Sequence, residues 1–268
     1  MLATFLARFL LGVMACVHSL GWPVSAQAET VTVATAATMR YAFEEILQAF
    51  EKQTGHSVKA VYGSSGNFVS QIRQGAPFDL FVAADMEYPE MLRTQGLAQG
   101  RVQEYARGRL VLMVPADSPL KPDGTLIDLK DALRDGRLKK LAIANPRLAP
   151  YGARAQEALE HAGLWAAIAP KLVLGENISQ AAQFASTGAA QGGLVALSLA
   201  LAPQLRTSTR HGLVPEAWHQ PLAQGVVMLK SNKPAAQQLQ RFLLSASSQS
   251  ILKRYGYEVP NAGGSAPQ

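Results

Sequence analysis

The sequence predicts an α/β protein whose two α/β lobes are joined by a hinge of two chain crossings. Short apolar segments alternate with amphipathic helical segments along most of the 268 residues, which is typical of α/β folds. Four of the apolar segments pass through small or hydroxyl-bearing residues directly into a helix. Two others, at 110–114 and 225–229, bracket the middle third of the chain. Because they would carry the chain into a second lobe and back, we expect a cleft between hinged lobes.

The four strand-to-helix junctions form the framework of this prediction. In the first helix Phe43, Ile46, Leu47 and Phe50 recur on one face, and Gly55 follows the last turn as a cap. The strands and the helices that follow them are predicted at 31–38 and 39–53, 58–63 and 64–74, 141–150 and 151–161, and 172–177 and 178–186.

The other elements continue the alternation. They are a strand at 79–83, a helix at 87–94, a strand at 109–115, a helix at 129–134, strands at 193–197 and 225–229, and a helical region at 234–255. We assign residues 29–109 plus 229–260 to a first lobe and 110–228 to a second. Residues 261–268 are small and polar, and we expect a disordered tail there.

The first 28 residues have the composition of a cleaved export signal. Arg8 is the only charged residue among them, an apolar core covers 9–20, and residues 26–28 read Ala-Gln-Ala, a small-x-small cleavage pattern. We therefore predict an exported protein that begins at Glu29. A lipid anchor through Cys16 is the alternative, because the residues before it loosely resemble a lipoprotein box.

Charge and cysteine content exclude several function classes. The formal net charge of +6 becomes +5 without Arg8, which for an exported chain indicates mild attraction of anions and no nucleic acid partner. Cys16 is the only cysteine, so the mature chain has no disulfide, thiol nucleophile or cysteine metal site. The four histidines beyond residue 28 show neither H-x-x-x-H nor H-E-x-x-H spacing, so we predict no cation site.

The helix starts at the four junctions are candidate anion-binding positions. The first turn of a helix offers N–H groups without partners and the positive end of the helix dipole. Thr38, Ser64, Ser65, Tyr151 and Ser179 lie at or beside these starts and would add neutral hydroxyl donors. The serines and the threonine also suit plain N-caps, and the tyrosine suits a packed loop, so both interpretations stay open.

Five motifs follow one another along the chain. They are Val-Ala-Thr-Ala-Ala-Thr at 33–38, Gly-Ser-Ser-Gly at 63–66, Gln-Gly-Ala-Pro-Phe-Asp-Leu-Phe at 74–81, Ala-Asn-Pro at 144–146 with Ala-Pro-Tyr-Gly at 149–152, and Arg-Tyr-Gly-Tyr at 254–257. In this series the chain resembles the periplasmic molybdate-binding proteins of ABC transporters. The resemblance implies a type II periplasmic-binding-protein architecture whose lobes close on a tetrahedral oxyanion.

Carried over position by position, the resemblance also implies a set of ligand donors. Thr38 and Ser65 would contribute hydroxyl and backbone donors from the first lobe, and Met39 its backbone N–H alone. From the second lobe, Tyr151 would contribute its hydroxyl or backbone, and Ile178 its backbone N–H.

Two further positions bear on this site. One branch of the family has a ligand tyrosine at the place of Ala196 and a small residue at the place of Tyr151, whereas another branch resembles this chain at Tyr151. Arg40, just past the first helix start, either steers anions to the cleft or points to solvent.

The implied function is high-affinity periplasmic binding of molybdate, and of tungstate, for delivery to an ABC permease with its cytoplasmic ATPase. The implied protein is a monomer and not an enzyme, and it needs no cofactor besides its ligand. Molybdate is fully deprotonated near neutral pH, so a donor-only site suits it and leaves the proton of phosphate unpaired. Sulfate accepts hydrogen bonds only, and the family excludes it by cavity size. Sulfate and phosphate are the alternative ligands.

Two other function classes are disfavoured. An exported hydrolase would need a nucleophile, and the segment at 63–67 departs from G-x-S-x-G because Asn67 replaces the last glycine. A transcriptional effector of this fold would need a helix-turn-helix segment, and the predicted export signal occupies that end of the chain.

Overall fold

Ten strands form two sheets in the computed structural model, which describes residues 28–260. In chain order they are β1 (Thr30–Ala36), β2 (Ser57–Gly63), β3 (Leu80–Val82), β4 (Ala98–Arg107), β5 (Leu110–Pro115), β6 (Leu141–Ala144), β7 (Leu172–Gly175), β8 (Gly192–Ala196), β9 (Thr209–Leu213) and β10 (Ala223–Leu229). The first sheet has the order β2-β1-β3-β10-β4, and the second has the order β7-β6-β8-β5-β9. The predicted α/β class is confirmed.

Helices connect and cover the strands. They are α1 (Arg40–Thr54), α2 (Ser65–Arg73), α3 (Glu87–Thr94), α4 (Ile127–Asp135), α5 (Pro150–His161), α6 (Trp165–Ile168), α7 (Ile178–Ser186), α8 (Leu197–Ala200), α9 (Pro234–Leu243) and α10 (Ala246–Arg254). Short 3₁₀ helices lie at Ala37–Met39, Ala169–Lys171 and Glu216–Trp218.

Both sheets contain parallel and antiparallel strands. The parallel strands place the helix starts of each sheet on one side, at the carboxyl ends of the strands. β1 pairs in parallel with β2 and β3, and β6 pairs in parallel with β7 and β8. β10 and β5 are the antiparallel strands that join the remaining members. Because a helix follows the carboxyl end of β1, β2, β6 and β7, the helix starts of each sheet lie together.

The chain passes between the sheets twice, and one predicted boundary differs from the structure. β4 in the first sheet leads through Gly108 into β5 in the second, and β9 leads back to β10. β10 pairs with β3 and β4, so residues 223–228 lie in the first sheet and not in the second lobe as predicted. The apolar composition of β10 indicates burial but does not specify which sheet buries it. We call each sheet with its covering helices the first or the second lobe.

Buried apolar residues form a cluster on each face of the first sheet and a third around the second. Val33 of β1 faces a cluster with Phe43 and Phe50 of α1, and its neighbour Ala34 faces another with Phe81. The alternation follows the two-residue period of a strand. Small residues of the first lobe, Ala36, Ala37 and Ala84, join the core cluster of the second lobe. The two lobes are therefore in contact where β1 and β3 end.

Within residues 28–260, no helix combines the length and the apolar character needed to cross a membrane. Residues 1–27 of the predicted export signal (1–28), with the alternative anchor at Cys16, and the predicted tail at 261–268 lie outside the described residues.

Candidate anion-binding site

A small cavity lies between the two lobes at the helix starts. Its volume is about 10 Å³, close to the least space that one water molecule requires. The cavity is therefore far smaller than a pocket for a drug-sized ligand. The lining residues are Ala36, Ala37, Thr38, Gly63, Ser64, Ser65, Ala84, Ala149, Pro150, Tyr151 and Ile178.

At the start of α2, two neighbouring serines have different partners. Ser64 is the N-cap, and its hydroxyl oxygen accepts a hydrogen bond from the Asn67 N–H at 3.3 Å. The Ser65 hydroxyl oxygen accepts from the Ala84 N–H at 3.0 Å, which leaves its own proton to donate. Ser65 is also the first helical residue, so its N–H has no acceptor within α2. Ser65 thus offers the cavity two donors.

The starts of α7 and α5 present backbone donors from the second lobe. Asn177 is the N-cap of α7, and its side-chain oxygen accepts from the N–H groups of Ser179 and Gln180 at 3.0 and 3.1 Å. That capping leaves the N–H of Ile178, the first helical residue, directed out of the helix start. α5 begins with Pro150 and has no side-chain cap, so the N–H of Tyr151 lacks an acceptor within its first turn.

Thr38 is held by contacts from the hinge side of the cavity. It is 2% exposed, and its hydroxyl lies 3.5 Å from the side-chain oxygen of Gln224. Its carbonyl oxygen accepts hydrogen bonds from the hydroxyl groups of Ser198 at 2.8 Å and Tyr257 at 2.9 Å. Because both lone pairs of that carbonyl are used, the peptide is fixed.

The Tyr151 side chain is buried, and its hydroxyl is an acceptor in one hydrogen bond. The Gln224 Nε2 group donates to the Tyr151 hydroxyl oxygen at 3.2 Å. Among residues 28–260 no acceptor lies within hydrogen-bond distance of the Tyr151 proton. Burial raises the pKa of this hydroxyl well above its ordinary value, so it keeps its proton at neutral pH. A protonated hydroxyl can donate to an anion.

The cavity offers an anion neutral donors only. In the described part of the chain, none of the lining residues is charged. The acidic residue nearest in sequence is Asp85, beside the lining residue Ala84. Burial raises the pKa of its carboxyl to about 6, and the Arg154 charge from the second lobe opposes that shift. The residues 28–260 contain no cluster of ligands suited to a metal cation.

Direct hydrogen bonds cross between the lobes around the cavity. The Gly66 N–H donates to the Leu148 carbonyl oxygen at 2.9 Å, and the Ser179 hydroxyl donates to the Ala37 carbonyl oxygen at 2.9 Å. Ser179 was a candidate donor to the anion, but its proton is used in this interlobe bond. The lobes are therefore in a closed arrangement.

Four of the five predicted ligand residues line the cavity: Thr38, Ser65, Tyr151 and Ile178. Met39 does not line it. Its side chain is fully buried in the first-lobe core, and the use of its N–H stays a prediction.

Ala196 and Arg40 both lie outside the lining. Ala196 ends β8 and is buried in the second-lobe core. Arg40 is exposed, and its guanidinium carbon lies 5.0 Å from the centre of the Tyr62 ring, so of the two predicted orientations the structure shows the solvent-facing one.

The sequence analysis did not identify Gln224. This residue is 0% exposed and contacts two of the predicted ligand residues, Thr38 and Tyr151. A signal was present, because a glutamine in the apolar strand β10 must find hydrogen-bond partners when buried.

Comparison with known proteins agrees with this arrangement. Residues 31–258 match the bacterial extracellular solute-binding protein family. The chain is 40% identical over 249 residues to the molybdate-binding protein of Azotobacter vinelandii, which covers 92% of this chain and 93% of the relative. It is 36% identical over 249 residues to that of Rhodobacter capsulatus, which covers 92% and 95%. The solved structure of the Azotobacter vinelandii periplasmic molybdate-binding protein superposes with a TM-score of 0.78 at 32% identity, and covers 86% of this chain and 100% of that chain.

Proposed function

The chain belongs to the bacterial extracellular solute-binding protein family, and we propose that it binds molybdate for delivery to an ABC importer. The observation that carries the proposal is the interlobe cavity, which is lined by neutral donors at four helix starts and by no charged side chain among the described residues. We assign the anion contacts to the hydroxyl groups of Thr38, Ser65 and Tyr151 and to the N–H groups of Met39, Ser65 and Ile178.

The donor set matches the chemistry of a fully deprotonated oxyanion. Molybdate has four oxygens that only accept hydrogen bonds. Each donor in the cavity can therefore pair with a molybdate oxygen, and no molybdate oxygen has to face an acceptor of the protein. Hydrogen phosphate would bring a proton that no carboxylate in the lining accepts, and an unpaired buried donor costs about 1–3 kcal/mol. The cavity chemistry therefore favours molybdate over phosphate.

Ion size separates the remaining candidates. Sulfate is also a pure acceptor, but its S–O bonds are shorter than Mo–O bonds, so it cannot reach donors on both lobes equally well. Tungstate nearly equals molybdate in size, and we expect weak discrimination between the two. Hydrogen bonds to a charged group contribute about 1.5–3 kcal/mol each. Several of them, less the free energy of lobe closure, give a sub-micromolar affinity of about −8 to −12 kcal/mol.

Titration calorimetry of the exported protein against molybdate, tungstate, sulfate and phosphate tests the proposal. We expect one-to-one binding of molybdate and tungstate in the sub-micromolar range, and binding of sulfate and phosphate weaker by at least about a hundredfold. Tight binding of sulfate or phosphate would retain the neutral-donor cleft and refute the assigned ligand.

The location and the assembly state are part of the same proposal. We propose a periplasmic monomer that delivers its ligand to a membrane permease with a cytoplasmic ATPase. Purification from the periplasm, with the intact mass measured, distinguishes a chain that starts at Glu29 from one that is lipid-anchored at Cys16. Size-exclusion chromatography with light scattering measures whether the protein is monomeric.

The structure favours binding over hydrolysis at this site. The Ser65 hydroxyl accepts a backbone N–H, and among the described residues the lining includes no histidine or carboxylate to act as its base. Incubation of the protein with ester and phosphate substrates, with no turnover expected, checks this part of the proposal.

A further inference from the structure

Gln224 contacts hydroxyl groups from both sides of the anion cavity. Its side-chain oxygen lies 2.7 Å from the hydroxyl of Tyr105 on β4 and 3.5 Å from that of Thr38. Its Nε2 group lies 3.2 Å from the hydroxyl of Tyr151 on α5. Its oxygen therefore accepts hydrogen bonds from the first lobe, and its Nε2 group donates to the second. Gln224 does not line the cavity, so it would not contact the anion directly.

The amide fixes where the proton of Tyr151 goes. A tyrosine hydroxyl has one proton to donate and lone pairs to accept. When Nε2 of Gln224 donates to this hydroxyl, an accepting position is used and the proton remains for the cavity. If the group beside Tyr151 were an acceptor, it would take that proton, and the anion would lose a donor.

The contact with Thr38 has a complementary effect. At 3.5 Å the bond from the Thr38 hydroxyl to the Gln224 oxygen is long and weak, so turning this proton towards an anion costs little. Tyr105 supplies the shorter bond that keeps the amide oxygen on the first-lobe side. The Thr38 donor is thus held near the cavity in the empty site and released when the anion arrives.

The backbone around this amide makes room for the arrangement. A Cβ atom at residue 108 would lie 1.8 Å from the Tyr151 hydroxyl oxygen and 2.6 Å from Gln224 Nε2, so only glycine fits at this crossing between the lobes. The pairing of β10 with β4 also shifts register between Gln224 and Gly225, an irregularity of the kind that redirects side chains beside functional sites. The Gly108 N–H donates to the Leu222 carbonyl oxygen at 3.0 Å and joins the two crossings.

We propose that Gln224 is a positioning residue that orients the Thr38 and Tyr151 hydroxyl donors towards the anion and couples them across the hinge. This inference rests on the proposed function and deepens it. It assigns part of the affinity to a residue that the anion does not touch.

The test replaces the amide by a carboxyl group of the same shape. In Gln224→Glu the protonated carboxyl can still donate to Tyr151 and accept from Tyr105, so affinity at about pH 6 should stay within about threefold of the parent. Once ionised, the side chain only accepts, takes the Tyr151 proton and adds a negative charge beside the cavity. Because burial raises the pKa of a carboxyl, this change should occur within the range of about pH 6 to 8.5. We expect molybdate affinity of the variant to fall at least about tenfold over that range, relative to the parent chain.

Other ionisable groups near Gln224 define the comparison with the parent. Tyr105, Tyr151 and Tyr257 have hydroxyl pKa values raised by burial, so they remain protonated throughout the range. Burial raises the pKa of the Asp85 carboxyl to about 6, although the Arg154 charge opposes this shift, so Asp85 titrates in the parent as well. The diagnostic quantity is therefore the ratio of the two affinities at each pH, measured by calorimetry with sodium molybdate.

Two further variants keep the test decisive. Gln224→Met removes both ends of the amide without adding charge and should bind molybdate about tenfold or more weakly at every pH. Tyr105→Phe leaves the lining intact and should weaken binding about threefold. It removes the bond of 2.7 Å that holds the amide oxygen, together with the longer contact of the same hydroxyl with the Ala83 carbonyl oxygen at 3.1 Å. The matched control is Gln191→Glu in the second lobe, where the side-chain oxygen accepts from the N–H groups of Lys139 and Lys140 and affinity should be unchanged.

The outcomes separate this inference from the proposed function. A parent chain that binds none of the four oxyanions refutes both. The positioning role alone is overturned if the parent chain binds molybdate and the folded Gln224→Glu and Gln224→Met variants bind it with the affinity of the parent at every pH. If both variants fail to fold, as judged by circular dichroism, unchanged affinity in Tyr105→Phe overturns it.

Discussion

Replacing Ser65 by alanine separates two roles that we assign to one hydroxyl group. Ser65 is 1% exposed, and its hydroxyl oxygen accepts a hydrogen bond from the Ala84 N–H at 3.0 Å. The hydroxyl proton remains free, and we assign it to the anion. Ser65→Ala removes a hydrogen bond to a charged group, which contributes about 1.5–3 kcal/mol to binding. We therefore expect molybdate affinity to fall about 10- to 150-fold.

The same change also reduces stability by a separate amount. The Ala84 N–H loses its acceptor in a buried place, which costs about 1–3 kcal/mol. For a chain of this length, that corresponds to a decrease of about 2–12 °C in the melting temperature. Calorimetric titration gives the first quantity, and thermal unfolding of the ligand-free protein gives the second.

Ser64→Ala is the matched control for this experiment. Ser64 caps α2 through the Asn67 N–H, so its loss should cost about 1 kcal/mol of stability. Molybdate affinity should change less than about threefold, because the assigned donor is the neighbouring Ser65. Equal losses of affinity in the two variants would show that the serines are assigned wrongly. A Ser65→Ala protein that is less stable but binds as tightly as the parent would make Ser65 purely structural.

Three further changes test the site and its surroundings. Tyr151→Phe should weaken molybdate binding about 10- to 150-fold by calorimetry, whereas Tyr62→Phe, which loses a surface bond to Glu44, should leave affinity unchanged; equal affinities for both would exclude the Tyr151 hydroxyl as a donor. Ile178→Val should leave affinity within about twofold, because the backbone supplies the donor, and should cost about 0.5–1.5 kcal/mol in urea unfolding; a large affinity loss would indicate side-chain packing against the anion. The Asp85 carboxyl has a pKa of about 6 in the native state and 3.8 in the unfolded state. The native state therefore keeps this proton to a higher pH than the unfolded state, and the free energy of unfolding falls as pH rises between those values. Asp85→Asn should remove that decrease and be more stable at pH 7 by about 2–3 kcal/mol in urea unfolding; an unchanged pH profile would refute the assignment.

The sequence predicted the helix starts because they depend on local information. The apolar period of each helix and the hydroxyl or small residues before it lie within about ten residues. The set of ligand residues came instead from the family resemblance, and the structure places four of them, Thr38, Ser65, Tyr151 and Ile178, around one cavity. The roles of the hydroxyl groups were not predictable in the same way. Ser64 caps its own helix, whereas Ser179 bonds to the other lobe, although both lie at helix starts.

Features that depend on distant contacts were missed or misplaced. β4 is an edge strand with many exposed residues, so it lacks the apolar run that indicates a buried strand. β10 was assigned to the wrong lobe because its partners lie more than a hundred residues earlier. Gln224 acquires its meaning from residues 73 to 186 positions away, which no local pattern encodes.

The selectivity for ion size that we propose would be set by the contacts that limit how closely the two lobes approach. The bond from the Gly66 N–H to the Leu148 carbonyl oxygen and that from the Ser179 hydroxyl to the Ala37 carbonyl oxygen fix how closely the lobes approach. A Cβ at residue 66 would lie 2.8 Å from the Leu148 oxygen, so glycine is what permits this approach. Donors on opposite walls are then held at a set separation, and an anion with shorter bonds cannot satisfy both. The discrimination between molybdate and sulfate would therefore reside in interlobe contacts that neither anion touches.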